Sequence, residues 1–292
     1  MLNDAHCHFF SSRFLELLAP DGGGAEAIAS RLHWDSPGTP TELGNRWVAE
    51  LDRHFVTRAA LIASIPGDAV SVAEAVAQHP QRFVGLFMHN PSGPDAGAVL
   101  DRAFGTRQMS GVCLFPAMHG YRLDDECVGT VFRAAGAHHA IVFVHCGVLT
   151  VGVRKKLGLP SRFDLRLGDP LAVARLAQAH PDVPVIIPHF GAGFFREALM
   201  AADQCPSIHL DTSSSNGWMK YHPGLTLADV FRTALSVVGP SRLLFGSDSS
   251  FFPRGWQKSI FDEQQQVLKA LGVSAADQAA IFGGNFERLF PQ

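Results

Sequence analysis

Short apolar runs alternate with longer amphipathic stretches along this chain. The apolar runs fall at 2–8, 57–65, 82–88, 110–115, 140–146, 183–189, 207–212 and 242–247. Several are apolar at odd and even positions alike, as in AIVFVHCG from Ala140 and VPVIIPHF from Val183. A strand that reads this way is covered on both faces, which is the condition of a parallel sheet flanked by helices. Between the runs, helical spacing predicts helices over 41–55, 68–79, 124–138, 169–180, 226–238 and 256–271. Asp124, Asp169 and Thr226 carry the side-chain oxygen that caps a helix start, Pro170 suits a first helical position, and Gly272 suits a helix end. Successive β-then-α units with short returns predict a closed (β/α)8 TIM barrel, α/β in class, as a single domain over 1–292. An open doubly wound sheet is the alternative. Three connections are long: 10–40 after the first strand, 147–168 after the fifth and 249–256 after the eighth. All three leave the C-terminal ends of strands, where barrel enzymes keep their sites, so each reads either as a lid or as an insertion the fold tolerates.

Composition narrows the partners. A net charge of −3 with only 17% charged residues offers no footprint for nucleic acid or an anionic membrane. No apolar stretch reaches the roughly 18 residues of a membrane span, and MLNDAHCHFF lacks the basic-then-apolar order of a leader. The five cysteines are odd in number and form no CxxC pair, which predicts reduced thiols and a cytoplasmic protein. The one oddity is fourteen histidines against two tyrosines, and their placement carries the chemistry.

Asp4-Ala5-His6-Cys7-His8 sits in the first strand. Residues two apart in a strand share a face at roughly 6.5–7 Å, close enough for two imidazoles to converge on one ion. H-x-H is short enough that two histidines sharing a strand by chance is the competing reading. His145, His189 and Asp248 each close an apolar run at a predicted strand end. A buried imidazole needs partners for two ring nitrogens, so repeated placement there implies something polar beside them: a metal, a water or a substrate.

The ordered set D-x-H-x-H, V-H-x-G, P-H-F-G, F-G-S-D and G-G-N-F-E-R-L-F, from Asp4 to Phe290, resembles the amidohydrolase superfamily. It is nearest to the amidohydrolase-2 branch, which includes aminocarboxymuconate-semialdehyde decarboxylase and related TIM-barrel hydrolases. The resemblance implies that His6, His8, His145 and Asp248 hold a metal. It also implies that His189 touches the metal's water, although some members use that position as a ligand. Binuclear members carry a bridging lysine at the end of the fourth strand, where this chain reads GVCLFPA. One divalent ion is therefore expected. Zn²⁺ suits three nitrogens and a carboxylate, and Fe²⁺, Mn²⁺ or Co²⁺ suit the same ligands.

The mechanism expected from this set is hydrolysis by an activated water, with Asp248 moving the proton and His189 orienting water or an oxyanion. The substrate would be a small molecule such as a lactone or cyclic amide. The alternative is non-oxidative decarboxylation of an unsaturated or aromatic acid. Aromatic residues just past strand ends (Phe9, Phe10, Phe194, Phe195, Trp218, Phe251 and Phe252) are candidate walls for a ring, against the plainer reading of buried core. Arg254 and Arg196 are candidate carboxylate clamps, with surface arginine as the alternative, and His89 and His119 are weaker candidates to face the site. Asp4 shares the parity of His6 and His8, so it reads as an acceptor behind a ligand imidazole or as a residue exposed at the barrel floor. Lys155 and Lys156 read as a solvated turn and Asn285 as an N-cap. Members of the group are often homodimers, and no interface patch is legible here.

Overall fold

The computed structural model describes residues 1–213 and 216–292. Its eight strands are β1 (Asn3–Phe9), β2 (Arg58–Ala63), β3 (Phe83–His89), β4 (Met109–Leu114), β5 (Ile141–Val144), β6 (Val185–Ile187), β7 (Ile208–Asp211) and β8 (Leu243–Leu244). They form one sheet in sequence order, every neighbouring pair parallel, with helices between them. This is the (β/α)8 barrel. Closure rests on chain beyond the short β8: Ala5 N–H donates to Phe245 O at 2.8 Å, Asp248 N–H to His6 O at 2.9 Å and His8 N–H to Ser249 O at 2.7 Å.

Strand alternation divides the core in two. Ala60 and Ile62 of β2 join Leu86, Cys113, Ile141 and Phe143 inside the barrel, while Ala59, Leu61 and Ala63 face the helices. The floor is plugged by Phe286 and Phe290 of the C-terminal segment, which pack into the inner cluster. Asn285 does not cap that segment. It is buried inside the helix Asn285–Leu289, and its amide donates to Pro240 O and Leu243 O at 2.8 and 2.7 Å, tying the plug to β8.

The other helix ends follow local chemistry. Asp169 accepts from Leu171 N–H with Pro170 behind it, and Thr226 forms a reciprocal capping box with Asp229. Gly272 follows Lys258–Ala270 in the left-handed conformation. Asp124 is not a cap: the helix Glu126–Ala137 starts one residue later than Asp124 allows, and Asp124 pairs with Arg122 instead. The connection 10–40 folds into helices Ser12–Leu18 and Ala25–Leu32. Phe14, Leu15, Ile28 and Leu32 make a separate small core with Val153 from the β5 connection, so two of the long loops pack together above the barrel.

Candidate metal centre and active site

A bulge in β1 sets the site. Asp4 pairs with Ala59 and Cys7 with Leu61, so one extra residue lies between them and parity shifts within Ala5–His6. Ala5, His6 and His8 therefore face the barrel interior while Asp4 faces outward, contrary to the parity expected from an unbroken strand. Asp4 is fully buried, accepting from His6 N–H, Ser247 N–H and Oγ–H, and Trp256 Nε1–H. It braces the closing seam between β1 and the β8 connection. It touches no ligand imidazole and is not exposed at the floor.

The two first-strand imidazoles are oriented from behind. His6 Nδ1–H donates to Asp211 Oδ2 at 2.6 Å. Ser64 Oγ–H donates to Ile62 O at 2.9 Å, so its oxygen accepts from His8 Nδ1–H at 2.7 Å. Both Nε2 atoms are thereby left with lone pairs, and they face each other at 3.3 Å. Asp248 Oδ1 lies 3.1 Å from His8 Nε2 and 3.7 Å from His6 Nε2. Donor atoms arranged tetrahedrally at about 2.0–2.1 Å from one ion stand roughly 3.3–3.4 Å apart. The triangle thus has the size of three sites around a single cation, and among the described residues these three already lie close enough together to share one. Two lone pairs and a carboxylate facing one another repel unless a cation lies between them.

Burial shapes the protonation. Burial alone would raise the Asp248 pKa, but the adjacent His8 and His6 imidazoles outweigh it and hold the carboxyl well below its ordinary range. For His6, burial opposes charge and the Asp211 carboxylate overcomes it, lifting the pKa. His8, His145 and His189 are depressed, chiefly by burial. Neutral imidazole is the form that binds metal.

His145 and His189 line the same cavity. The His189 ring stands 5.0 Å from His6 and 5.4 Å from His145. His145 lies outside the three-residue group, stacked on Phe115 at 5.3 Å, and its Nδ1 is buried without a partner among the described residues. His189 Nδ1 lies 3.2 Å from the Ser213 carbonyl, which only accepts, so the proton sits on Nδ1 and Nε2 is an acceptor. Ser213 Oγ also reaches His189 Nδ1 at 2.8 Å and His6 Nδ1 at 3.0 Å. Two motif glycines make room for these contacts. A Cβ on Gly246 would stand 2.6 Å from Asp211 Oδ1 and 2.8 Å from His6 Cβ, and one on Gly147 would strike the carbonyls of Gly191 and Ala192.

The cavity encloses about 640 Å³. Of the candidate substrate contacts, Trp218 and Arg254 line it. Phe9 and Phe252 do not: Phe9 is on the outward face of β1 in the outer core, and Phe252 packs on Trp47 under Arg46. Their neighbours Phe10 and Phe251 take those places. Phe195 is core and packs at a tilt against Trp218, and Arg196 is a surface residue paired with Glu197. His89 and His119 stand away from the cavity lining, their pKa values lowered to about 4 by burial.

Sequence reading missed Asp211, Ser64 and Ser213. Asp211 had a signal, since it closes the apolar run IHLD just as Asp248 closes its own. The serines had none: Ser64 is a small hydroxyl inside the apolar run 57–65, and Ser213 lies among the polar residues that follow the seventh run.

The family model for amidohydrolases (Amidohydro_2) matches residues 4–292, and the chain belongs to that family. No curated protein matches it. Similar solved structures include 5-carboxyvanillate decarboxylase from Novosphingobium aromaticivorans complexed with manganese and 4-hydroxy-3-methoxy-5-nitrobenzoic acid, at 16% identity over 100% of this chain and 96% of that one, TM-score 0.66. A second is a probable 2-pyrone-4,6-dicarboxylic acid hydrolase from Acinetobacter baumannii with citric acid bound, at 16% identity, 100% and 99% coverage, TM-score 0.63. A third is an amidohydrolase from Burkholderia multivorans with bound zinc, at 16% identity, 99% and 98% coverage, TM-score 0.65. At such identities these likenesses speak to the fold. No helix among the described residues is long and apolar enough to cross a membrane.

Proposed function

We propose that this chain is a mononuclear metal-dependent hydrolase of a small, ring-bearing organic substrate, a lactone or cyclic amide carrying a carboxylate. The observation that carries the reading is the pair of opposed Nε2 lone pairs of His6 and His8, 3.3 Å apart with Asp248 beside them. His6, His8 and Asp248 would hold the ion, with His145 the fourth ligand in the cavity wall. A divalent cation there, most simply zinc, supplies Lewis acidity and an activated water.

The chain's own residues do the rest. Asp248 stays ionised and so is able to take a proton and return it to a leaving group. His189, with its proton fixed on Nδ1, offers Nε2 to orient a nucleophilic water. Arg254 is held by Asp248 O and Ser250 Oγ at 3.2 and 2.6 Å, which places a guanidinium beside the centre to receive a carboxylate. Aromatic side chains form part of the cavity wall and would offer a face to a substrate ring.

A second reading, decarboxylation of an unsaturated or aromatic acid, is favoured by the same guanidinium in an aromatic cavity. The test is metal content by elemental analysis, with a His6→Ala/His8→Ala control, followed by incubation with lactones and aromatic acids. About one equivalent per chain, absent from the control, together with ring opening, supports the hydrolase. Release of carbon dioxide instead supports the lyase. No metal after reconstitution with zinc, manganese or iron defeats both.

A further inference from the structure

In the connection after β8, every backbone polar group of Ser247, Asp248 and Ser249 has a partner. Residues of β1 take part in several of these bonds: Ser247 N–H donates to Asp4 Oδ1 at 3.1 Å, Asp248 N–H to His6 O at 2.9 Å, and Ser249 O accepts from His8 N–H at 2.7 Å. Ser249 N–H reaches the Ser247 hydroxyl at 3.3 Å. What remains is the pair of carbonyls of Ser247 and Asp248. The Gln257 side-chain amide takes both, donating from Nε2 at 3.0 and 3.1 Å. Successive carbonyls of an extended strand point to opposite edges, so one nitrogen reaches both only where the chain has left the strand. Asp248 is that point, with a φ of 58°. From this turn its carboxylate lies 3.1 Å from His8 Nε2 and 3.7 Å from His6 Nε2.

Gln257 also breaks a local rule. It is the N-cap of the helix Lys258–Ala270, where Ser, Thr, Asp or Asn would accept a helix N–H, and its side chain caps nothing. Its own N–H donates to Ser249 Oγ at 2.9 Å, which fixes the residue against the same segment. A side chain withheld from its local task and bonded twice elsewhere is the kind of inconsistency expected beside a functional site. A chemically matching clamp lies at the other end of β8. There Asn285 Nδ2 donates to Pro240 O and Leu243 O at 2.8 and 2.7 Å, away from the cavity lining.

We infer that Gln257 is a positioning residue for the metal centre: its amide holds Asp248 in the left-handed turn and so sets where the carboxylate stands relative to the His6 and His8 Nε2 atoms. Arg254 does not replace it, because its Nη2 reaches Asp248 O at 3.2 Å and Ser250 Oγ, leaving Ser247 O to Gln257. This rests on the proposed metal centre, and it holds for hydrolysis and decarboxylation alike.

The test compares Gln257→Met, which keeps the length and removes the donor, with Asn285→Leu, which removes the clamp at the other end of β8. Zinc affinity of the full-length protein is read by competition with a chromogenic chelator, and ligand geometry by the visible absorption of the cobalt-loaded form. Gln257→Met should bind zinc about 10-fold more weakly or worse and shift the cobalt spectrum. Asn285→Leu should lower the urea midpoint and leave both metal readouts unchanged. Should Gln257→Met fail to fold, Gln257→Ser carries the same test, since it removes the donor and supplies the missing helix cap. Wild-type zinc affinity with an unshifted spectrum in the Gln257 variant overturns the inference. So does an equal loss of zinc affinity in Asn285→Leu, which would make both clamps merely structural. Neither readout needs turnover. A protein that shows these effects yet catalyses neither ring opening nor carbon dioxide release keeps this inference and loses the proposed function. One that opens lactones and keeps full zinc affinity without the Gln257 amide does the reverse.

Discussion

The two ends of the barrel are built on opposite electrostatic logic. At the floor, charge is matched. Arg58 is buried and its Nη1 meets Glu287 Oε2 at 2.5 Å and Phe290 O at 2.9 Å, while Asn3 donates to the other Glu287 oxygen at 2.7 Å. At the top, like meets like: two imidazole lone pairs face each other beside an ionised carboxylate. Left-handed backbone does not distinguish the ends: φ is 56° at His189, 52° at Phe190, 44° at Ala192 and 58° at Asp248 at the top, and 57° at Phe55, 59° at Arg107 and 52° at His139 in the turns entering β2, β4 and β5. A left-handed non-glycine residue costs on the order of 1 kcal/mol, and such costs persist where the surroundings over-determine them. One end of the molecule stabilises the fold, and the other holds groups in an arrangement that only a bound cation and substrate would make favourable.

The sharpest way to break this contrast is at the top. Asp248→Asn keeps the shape and removes the charge, so metal should be lost and turnover should fall by about 10³-fold or more. The metal-free variant should unfold in urea much as the metal-free parent does. If metal and activity both survive, the site is not where the opposed lone pairs place it.

Acid tests the barrel interior in a different way. His209 on β7 is buried, and burial lowers its pKa to about 4, from an ordinary value near 6.5. As pH falls through 6.5 the unfolded chain takes up the proton first. The stabilising contribution is therefore full above pH 6.5 and is lost progressively down to about pH 4, to the extent of about 3 kcal/mol. His89 and His119, also lowered to about 4, add shares of the same sign. His209→Gln should remove one share, seen as a shallower fall of urea midpoint between pH 7 and 4. An unchanged slope would mean that His209 titrates normally.

At the floor, Glu287→Gln leaves the Arg58 guanidinium buried without its counter-charge. The expected cost is about 2 kcal/mol, a fall of roughly 5 °C in Tm, with kcat and metal content unchanged. A loss of activity without loss of stability would reverse the assignment of the two ends.

How much of this was legible depended on whether a residue's role follows from local pattern. Eight apolar runs marked eight strands, and His6, His8, His189 and Asp248 were visible because they interrupt those runs at the ends where a barrel gathers them. The bulge in β1 was invisible, because Ala5 extends a strand without marking a break, and so the direction of Asp4 was misjudged. Phe9 and Phe252 were misplaced by a single position each: Phe10 and Phe251 face the cavity, a distinction of side-chain direction that composition does not encode. Asp211 supports His6 from 205 residues away, a contact that only closure of the barrel creates.

Helix caps show the same limit at its smallest scale, and they give the mildest of the expected effects. Asp124 and Thr226 were equally good caps by residue type, yet only Thr226 is used, its hydroxyl accepting from Asp229 N–H while Asp229 reaches back to Thr226 N–H at 3.1 Å. Asp124 instead turns toward Arg122, because the helix after it begins at Glu126 with Asp125 in the cap position. Thr226→Ala should therefore cost about 1 kcal/mol by exposing an unsatisfied helix N-terminus. Asp124→Ala removes only a solvent-exposed ion pair and should leave the urea midpoint where it was. Equal effects from the two substitutions would mean that residue type alone sets the cap. A cost confined to Thr226 shows that backbone position decides which of two suitable side chains is put to use.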